Sequence, residues 1–538
     1  MIQGIDYWDN MIQKNLKEQD YNHVKVMGYD KIPDSLYCIL RNTAKKFGNK
    51  IVFWDEWERS YSYRQFLLEV DCLAFYLQTE KKVKRGDHVG ILLHNSIEFC
   101  CAFYAIQKLG AVAITLPSKF RRPEIEALIH KSDLNLLIYS ETFAEWIKGY
   151  HLKNISFLST KEEEKGYGFR HLNLCKPSDI EEERNLADPA VIMFTSGTTS
   201  ESKGVVLRNY NLVNAIIVYQ RILGIRSEDK TIIPVPIYHI TGLIALLGLF
   251  VYAGAEIYLC RRYEANKILE CVKKHEITFM HGSPTVYYKL LEIKDNYPIL
   301  PSLRMLACGS SYMPVEKMKK IHQWLPNTKF QIVYGMTETS SPALIFPNDA
   351  PTSIYAGAAG KPIPGIEFKF LDDKGTELTQ NQIGEIWIRG NVVTQGYYKI
   401  KTDLISQNGW LNTGDMGYYN EDGYVYIVDR KKDMINRGGE KIWCSDVEEE
   451  LHRIRGVKEA TVVGIEDSMY GEIPVALIVR EKNINITSEE ITLNLKERIA
   501  RYKIPTQILF AEEIPKTPGL KIDKKQIKEM FVKEESDD

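Results

Sequence analysis

Between about residues 60 and 335, short apolar runs alternate with longer amphipathic stretches. Residues 88–93 read as a strand after the turn Arg85-Gly86-Asp87, 96–109 has helical spacing, and 111–116 reads as the next strand before Pro117. The pattern recurs at 231–235, 257–260, 278–281, Met305–Cys308 and 330–333, each followed by a helix-like segment. This alternation predicts an α/β fold, a large N-terminal domain of helix-covered parallel sheets. Ligands of such sheets bind at the carboxyl ends of the strands. The most apolar segment, 243–255, holds glycines and follows Pro234 and Pro236. It is too short and broken to span a bilayer and predicts a buried helix.

Beyond about residue 355, turn pairs and alternating residues at 385–389 and 423–428 predict a β-rich subdomain. The charged run 429–433 is the candidate boundary, dividing the chain into 1–431 and a small C-terminal α+β domain, 432–538. The acidic residues 534–538 are expected to fray.

Composition narrows the classes of function. The 69 basic and 71 acidic residues nearly cancel, so no global field argues for nucleic acid or a membrane surface. Nine cysteines without regular spacing argue against a disulfide framework, and Cys100-Cys101 read as small buried hydrophobes. No C-x-x-C and no histidine pair at zinc spacing occurs, which disfavours a structural metal. The polar N-terminal twenty residues lack a signal core, so a reducing, cytoplasmic setting is expected.

Five segments carry candidate chemistry. The stretch 191–204 is an apolar strand running into Thr195-Ser196-Gly197-Thr198-Thr199 and ending in Lys203-Gly204. Backbone N–H groups, hydroxyls and a lysine in a loop of little bulk suit phosphate oxygens. The second, Tyr334-Gly335-Met336-Thr337-Glu338-Thr339, follows a predicted strand. It offers an aromatic face for a base, a glycine for close approach, and hydroxyl and carboxylate groups for phosphate and magnesium. Taken by itself, Thr337-Glu338 is also a helix start. The third, Thr413-Gly414-Asp415, puts a carboxylate beside a glycine turn, which suits a ribose diol or merely a β-turn. The fourth covers 429–435 with Arg437, Gly438, Gly439, Glu440, Lys441 and Ile442, and the fifth is Pro515-Lys516-Thr517-Pro518-Gly519-Leu520-Lys521.

In order and spacing these five segments resemble the adenylate-forming superfamily, in its acyl-CoA synthetase, acid–thiol ligase branch. Tyr61-Ser62-Tyr63 and 110–117 are similar to its N-terminal pattern, so nearly the whole chain is covered. The resemblance implies ATP, Mg2+ and coenzyme A as reactants and helpers. It places Thr195, Ser196, Gly197, Thr198, Thr199 and Lys203 on the β,γ-phosphates of ATP. Tyr334 and Gly335 would meet adenine, with Gly309, Ser310 and Ser311 on its other face. Thr337 would contact the α-phosphate, Glu338 the magnesium, and Asp415 with Arg430 the ribose. Lys521 would bridge the substrate carboxylate and the α-phosphate, Lys432 would be the hinge of a mobile small domain, and Arg437, Gly438, Gly439 and Lys441 would line the thiol tunnel.

Several positions depart from the family pattern. Ser200 and Ser202 stand where a Gly and a Pro are usual, Leu520 directly precedes the lysine, Trp443-Cys444 replaces Tyr-Pro, and Asp446 replaces a Glu. They leave activity expected and its efficiency open. A non-catalytic nucleotide-binding relative is the reading that Ser200 and Leu520 motivate. His239 matches the position that gates the acyl pocket in acyl- and aryl-CoA ligases. With no charge across 243–252, the expected acid is fatty or aromatic, with a leaning to fatty. Coenzyme A is the expected acceptor and a carrier protein the alternative.

Overall fold

Ser96 shows how local sequence sets the elements. Its Oγ accepts the backbone N–H of Phe99 at 3.1 Å and caps the helix Ile97–Lys108, which links the strands His88–Leu92 and Val112–Thr115 in parallel. The protein, a computed structural model, is described over residues 1–21, 23–147, 156–160, 169, 185–195, 202–517 and 522–537. Ser196, Gly197, Thr198, Thr199 and Lys521 lie outside the described residues.

One sheet has six strands in the order Gly204–Arg208, Pro189–Phe194, Val112–Thr115, His88–Leu92, Leu136–Ser140 and Ser156–Thr160. Only its first pair is antiparallel. The second sheet has nine strands, with Ile51–Asp55, Glu256–Leu259, Lys230–Ile233, Phe279–Gly282, Met305–Cys308 and Lys329–Tyr334 forming a parallel centre. Its edges are antiparallel. The parallel α/β reading therefore holds.

One unit breaks the expected alternation. Lys329–Tyr334 is followed not by a covering helix but by the single turn Thr337–Thr339, after which the chain returns antiparallel as Leu344–Ile345. Ser340 and Ser341 both have positive φ, 55° and 103°, and they reverse the chain before a helix can propagate.

The apolar 243–255 segment is helical and buried, but Thr241–Gly248 winds as a π-helix before the α-helix Leu249–Ala253. π-Helical turns are rare and concentrate at functional sites. Leu243, Ile244, Ala245, Leu246 and Leu247 are all 0% exposed in the main core.

The β-rich subdomain is an antiparallel sheet of Ile2–Gln3, Ile366–Leu371, Gly384–Gly390, Leu411–Tyr419 and Val425–Arg430. Buried polar side chains lock the sheets together. Asn211 Nδ2 donates to the Asn391 and Val393 carbonyls, both at 3.0 Å, and Thr394 Oγ1 donates to the Val206 carbonyl at 2.6 Å. Arg59 clamps the nine-stranded sheet to the helix Ile97–Lys108, with Nε 2.6 Å from Asp55 Oδ2 and a guanidinium nitrogen 2.9 Å from Glu98 Oε1.

From Ile435 onward the apolar side chains form clusters of their own. They cover a sheet built on the hairpin Val457–Asp467 and Gly471–Arg480, with Gln507–Ala511 added in parallel. This part rests on the larger one through Tyr312 Oη to Glu449 (2.6 Å), Lys320 to Glu481 (3.1 Å) and Lys458 to Glu292 (2.5 Å). Of the acidic residues 534–538, those to Asp537 belong to the helix Lys524–Asp537, and Asp538 lies outside the described residues. Among the described residues no helix is long and apolar enough to cross a membrane. Cys100 and Cys101 are both 0% exposed, as expected of small buried hydrophobes.

Candidate active site

The three sheets converge where the parallel strands end. Asn95, just past His88–Leu92, accepts the Ile237 N–H at 2.8 Å and donates to the Val235 carbonyl at 2.9 Å. Thr115 Oγ1 donates to the Tyr238 carbonyl at 2.9 Å. The six-stranded sheet thus grips the loop leaving the nine-stranded one, and His239 follows directly, its ring 4.5 Å from that of Tyr238.

Tyr334 closes its strand beside this cleft. Its hydroxyl donates to Asp415 Oδ2 at 2.5 Å, and Asp415 Oδ1 lies 3.0 Å from Arg430 Nε. Burial, reinforced by the Asp415 carboxylate, pushes the Tyr334 phenol well above its ordinary range, so it stays a donor. Asp415 in turn raises the Arg430 guanidinium further above its already high range. The pairing of Leu411–Tyr419 with Val425–Arg430 sets Asp415 opposite Arg430. Asp415 does not sit in a turn, as its glycine neighbour suggested. It lies in a strand kinked at Gly414, whose φ is +72°, with Asn412 Oδ1 and Thr413 Oγ1 accepting the Gly414 and Asp415 N–H groups.

A second group forms around Glu338. Its Oε1 accepts from the Tyr397 hydroxyl at 3.0 Å, and Lys203 Nζ stands 5.4 Å from the centre of the same ring. The Thr394 N–H holds the Glu338 carbonyl at 2.7 Å. Thr195 and Lys203 close the mouth of the 196–201 segment. The Thr195 N–H donates to the Lys203 carbonyl at 3.0 Å, and the Lys203 N–H to Thr195 Oγ1 at 3.2 Å. Thr337 begins the turn that carries Glu338.

Backbone fit constrains the rest. A Cβ on Gly335 would sit 1.6 Å from the Ser341 carbonyl oxygen, and one on Gly309 2.7 Å from that of Val333. Ser310 has φ +73°, so with Ser340 and Ser341 three serines near this cleft hold a conformation costly to L-residues. Lys432 lies in the single turn Lys431–Asp433. Arg437, Gly438, Gly439 and Lys441 belong to a tight hairpin, with φ of +60° and +94° at the two glycines. Their described contacts lie elsewhere than the Tyr334 group: Arg437 donates to the Tyr502 carbonyl, and Lys441 Nζ is 3.4 Å from Asp373 Oδ2.

The motifs left out Tyr397, Tyr219, His281 and Ser341. For Tyr397 the one local cue was its place after Gly396 in a turn-like run.

The chain matches the "AMP-binding enzyme" family over residues 40–398 and the "AMP-binding enzyme C-terminal domain" over 446–521. A 2-succinylbenzoate–CoA ligase of Oceanobacillus iheyensis is 32% identical over 478 residues, which is 88% of this chain and 93% of that protein. The structure of o-succinylbenzoate CoA synthetase from Bacillus subtilis with its acyl-adenylate intermediate superposes with a TM-score of 0.80 at 28% identity, covering 91% of this chain and 97% of that one. A Mycobacterium tuberculosis fatty acyl CoA synthetase is similar at 25% identity and a TM-score of 0.73, covering 93% and 98%. The chain belongs to the AMP-binding enzyme family, in the acyl-CoA ligase branch of the adenylate-forming superfamily.

Proposed function

We propose that this chain activates an aryl carboxylic acid with ATP, releasing pyrophosphate, and passes the acyl group to coenzyme A. The observation that carries the reading is the Tyr334–Asp415–Arg430 group. Adenosine joins its base to its ribose by one bond, so a base-stacking ring and a ribose-binding carboxylate must be neighbours, and here they share a hydrogen bond. Gly309, Ser310 and Ser311 supply the opposite wall, and Gly335 the close backbone approach. Thr195 and Lys203, with Ser196, Gly197, Thr198 and Thr199 between them, hold the β,γ-phosphates, and Thr337 contacts the α-phosphate.

In the first half-reaction a carboxylate oxygen bonds to the α-phosphorus as the bond to pyrophosphate's bridging oxygen breaks. Lys521 lies against both anions as they meet. In the second, the thiol loses its proton, its sulfur bonds to the acyl carbon, and AMP departs. Glu338, a hard oxygen donor held by the Tyr397 hydroxyl, fits Mg2+. That ion, when bound, neutralises charge on the phosphate oxygens. The units 1–431 and 432–538 move about Lys432, and the turn at Arg437, Gly438, Gly439 and Lys441 swings in to line the thiol's path. His239 guards the carboxylate end of the acid pocket.

An aryl acid is favoured because the Oceanobacillus and Bacillus relatives act on 2-succinylbenzoate. The uncharged 243–252 segment, which suggested a fatty acid, has its leucines consumed by core packing. The fatty acid is the second reading, supported by the M. tuberculosis synthetase. The test is pyrophosphate release with Mg-ATP across benzoates, cinnamates and fatty acids of graded length, with and without coenzyme A. Aryl-dependent release that coenzyme A accelerates is expected. Release indifferent to coenzyme A points to a carrier protein, and no release with any acid to a non-catalytic relative.

Tyr397→Phe removes the hydrogen bond to Glu338 and keeps the ring near Lys203. It is expected to raise the KM for Mg-ATP by about 3- to 10-fold, measured by steady-state pyrophosphate release.

A further inference from the structure

The strand Phe279–Gly282 carries near its end a histidine that the core does not use as an apolar filler. His281 is 2% exposed, and its Nδ1 has no hydrogen-bond partner among the described residues. Burial pushes its imidazole down to about 4, so the ring is neutral at physiological pH. Two residues on, the Ser283 hydroxyl is buried and likewise unpartnered. Buried polar atoms almost always find partners, so two orphans within three residues ask for one that comes from outside.

His281 lies beside the proposed adenylate site, and Ser283 follows it at the start of the helix Pro284–Leu291. A Cβ built on Gly309 would stand 3.5 Å from His281 Nε2, which places the imidazole next to that glycine. The ring meets Tyr219 edge-on at 6.2 Å, and the Tyr219 hydroxyl shares a 2.8 Å hydrogen bond with Ser341 Oγ. The Ser341 carbonyl in turn presses on Gly335, the neighbour of Tyr334. On the other side, Phe279–Gly282 pairs with Lys230–Ile233, the strand that leads to His239. A chain of packed neighbours therefore links the nucleotide end of the cleft to His281.

We infer that His281 and Ser283 form the polar end of the acid pocket, and that the acid's body carries a neutral hydrogen-bonding oxygen, a hydroxyl or keto group, that reaches them. A plain alkyl chain would seal both groups away unpaired. A second carboxylate would bring a charge against an uncharged imidazole, whereas a hydroxyl can donate to or accept from the ring in either tautomer, and a keto oxygen accepts from a ring N–H or from the Ser283 hydroxyl. The inference rests on the acyl-adenylate reading of this cleft and adds the character of the acid to it.

The experiment is calorimetric binding of stable acyl-adenylate mimics, benzoyl-sulfamoyl adenosines, to the full chain. Each ring position carries in turn a hydroxyl or its methyl counterpart, and an acetyl or its isopropyl counterpart. The best oxygenated mimic is expected to bind about tenfold or more tighter than its alkyl partner. His281→Leu is expected to bring that ratio close to one with little loss for the alkyl mimic, and His281→Gln to restore part of it. A purely structural role would instead weaken both mimics equally in His281→Leu, which overturns the inference. So does a native protein with no preference at any position, or a preference that survives in both His281→Leu and Ser283→Ala. If no mimic binds at all, the acyl-adenylate reading itself fails and the inference with it, a result distinct from binding without discrimination.

Discussion

Lys521→Ala is expected to slow acid-dependent pyrophosphate release by about 10²- to 10³-fold while leaving ATP affinity within a few-fold of native. Adenylation presses a carboxylate against a phosphate, and a cation between the two acts only as they approach. Its loss therefore appears in kcat rather than in ground-state binding. The described residues around 518–521 favour such a role. Lys516 and Ile522 pair across the base of the segment, the Asp523 N–H donates to the Pro515 carbonyl at 2.9 Å, and Lys516 Nζ lies 3.4 Å from Glu459. Lys524 Nζ, one turn on, is 3.5 Å from Asp433 and 3.9 Å from Asp429 beside the Lys432 turn. The base of the lysine's segment is thus tied to the Lys431–Asp433 turn. Pyrophosphate exchange and ATP calorimetry on the variant check the prediction. Coenzyme A transfer from a supplied acyl-adenylate should persist. Release within a few-fold of native would remove Lys521 from the first half-reaction.

How much of this was legible in the sequence follows from which forces set each feature. Met305–Cys308 is the observed strand to the residue, because a buried parallel strand must be continuously apolar and is bounded by its own turn. The helix after Tyr334 failed because Ser340 and Ser341 take positive φ, a conformation no local pattern announces for serine. Asp415 was found as a carboxylate but placed in a turn. Its strand kinks at Gly414 only because Asn412 and Thr413 tie down the next two N–H groups. Tyr397 reaches Glu338 through an isolated pairing of Val205 with Tyr397 nearly two hundred residues apart. His281 read as one more strand residue, and its missing partner exists only in three dimensions. The leucines after Leu243 suggested a greasy pocket, yet the same apolar pattern serves a core, and periodicity alone does not separate the two.

The second large effect belongs to Asp415. Asp415→Ala is expected to raise the KM for ATP by about 10- to 100-fold, the range for losing hydrogen bonds to a charged group. Three losses coincide at one residue that is 4% exposed. The ribose hydroxyls lose their acceptor, Arg430 loses the carboxylate 3.0 Å from its Nε, and the buried Tyr334 phenol loses its 2.5 Å acceptor. The last of these reaches the base as well as the sugar, because the ring that would stack on adenine is held in place by that bond. Asp415→Asn separates the contributions. An amide oxygen still accepts from Tyr334, but it has no charge for Arg430, so the asparagine variant should fall between native and alanine. Titrating ATP against both variants by calorimetry, with circular dichroism to verify the fold, decides the matter. Equal affinity in all three proteins would place the ribose elsewhere and leave the Tyr334–Asp415–Arg430 group as packing alone.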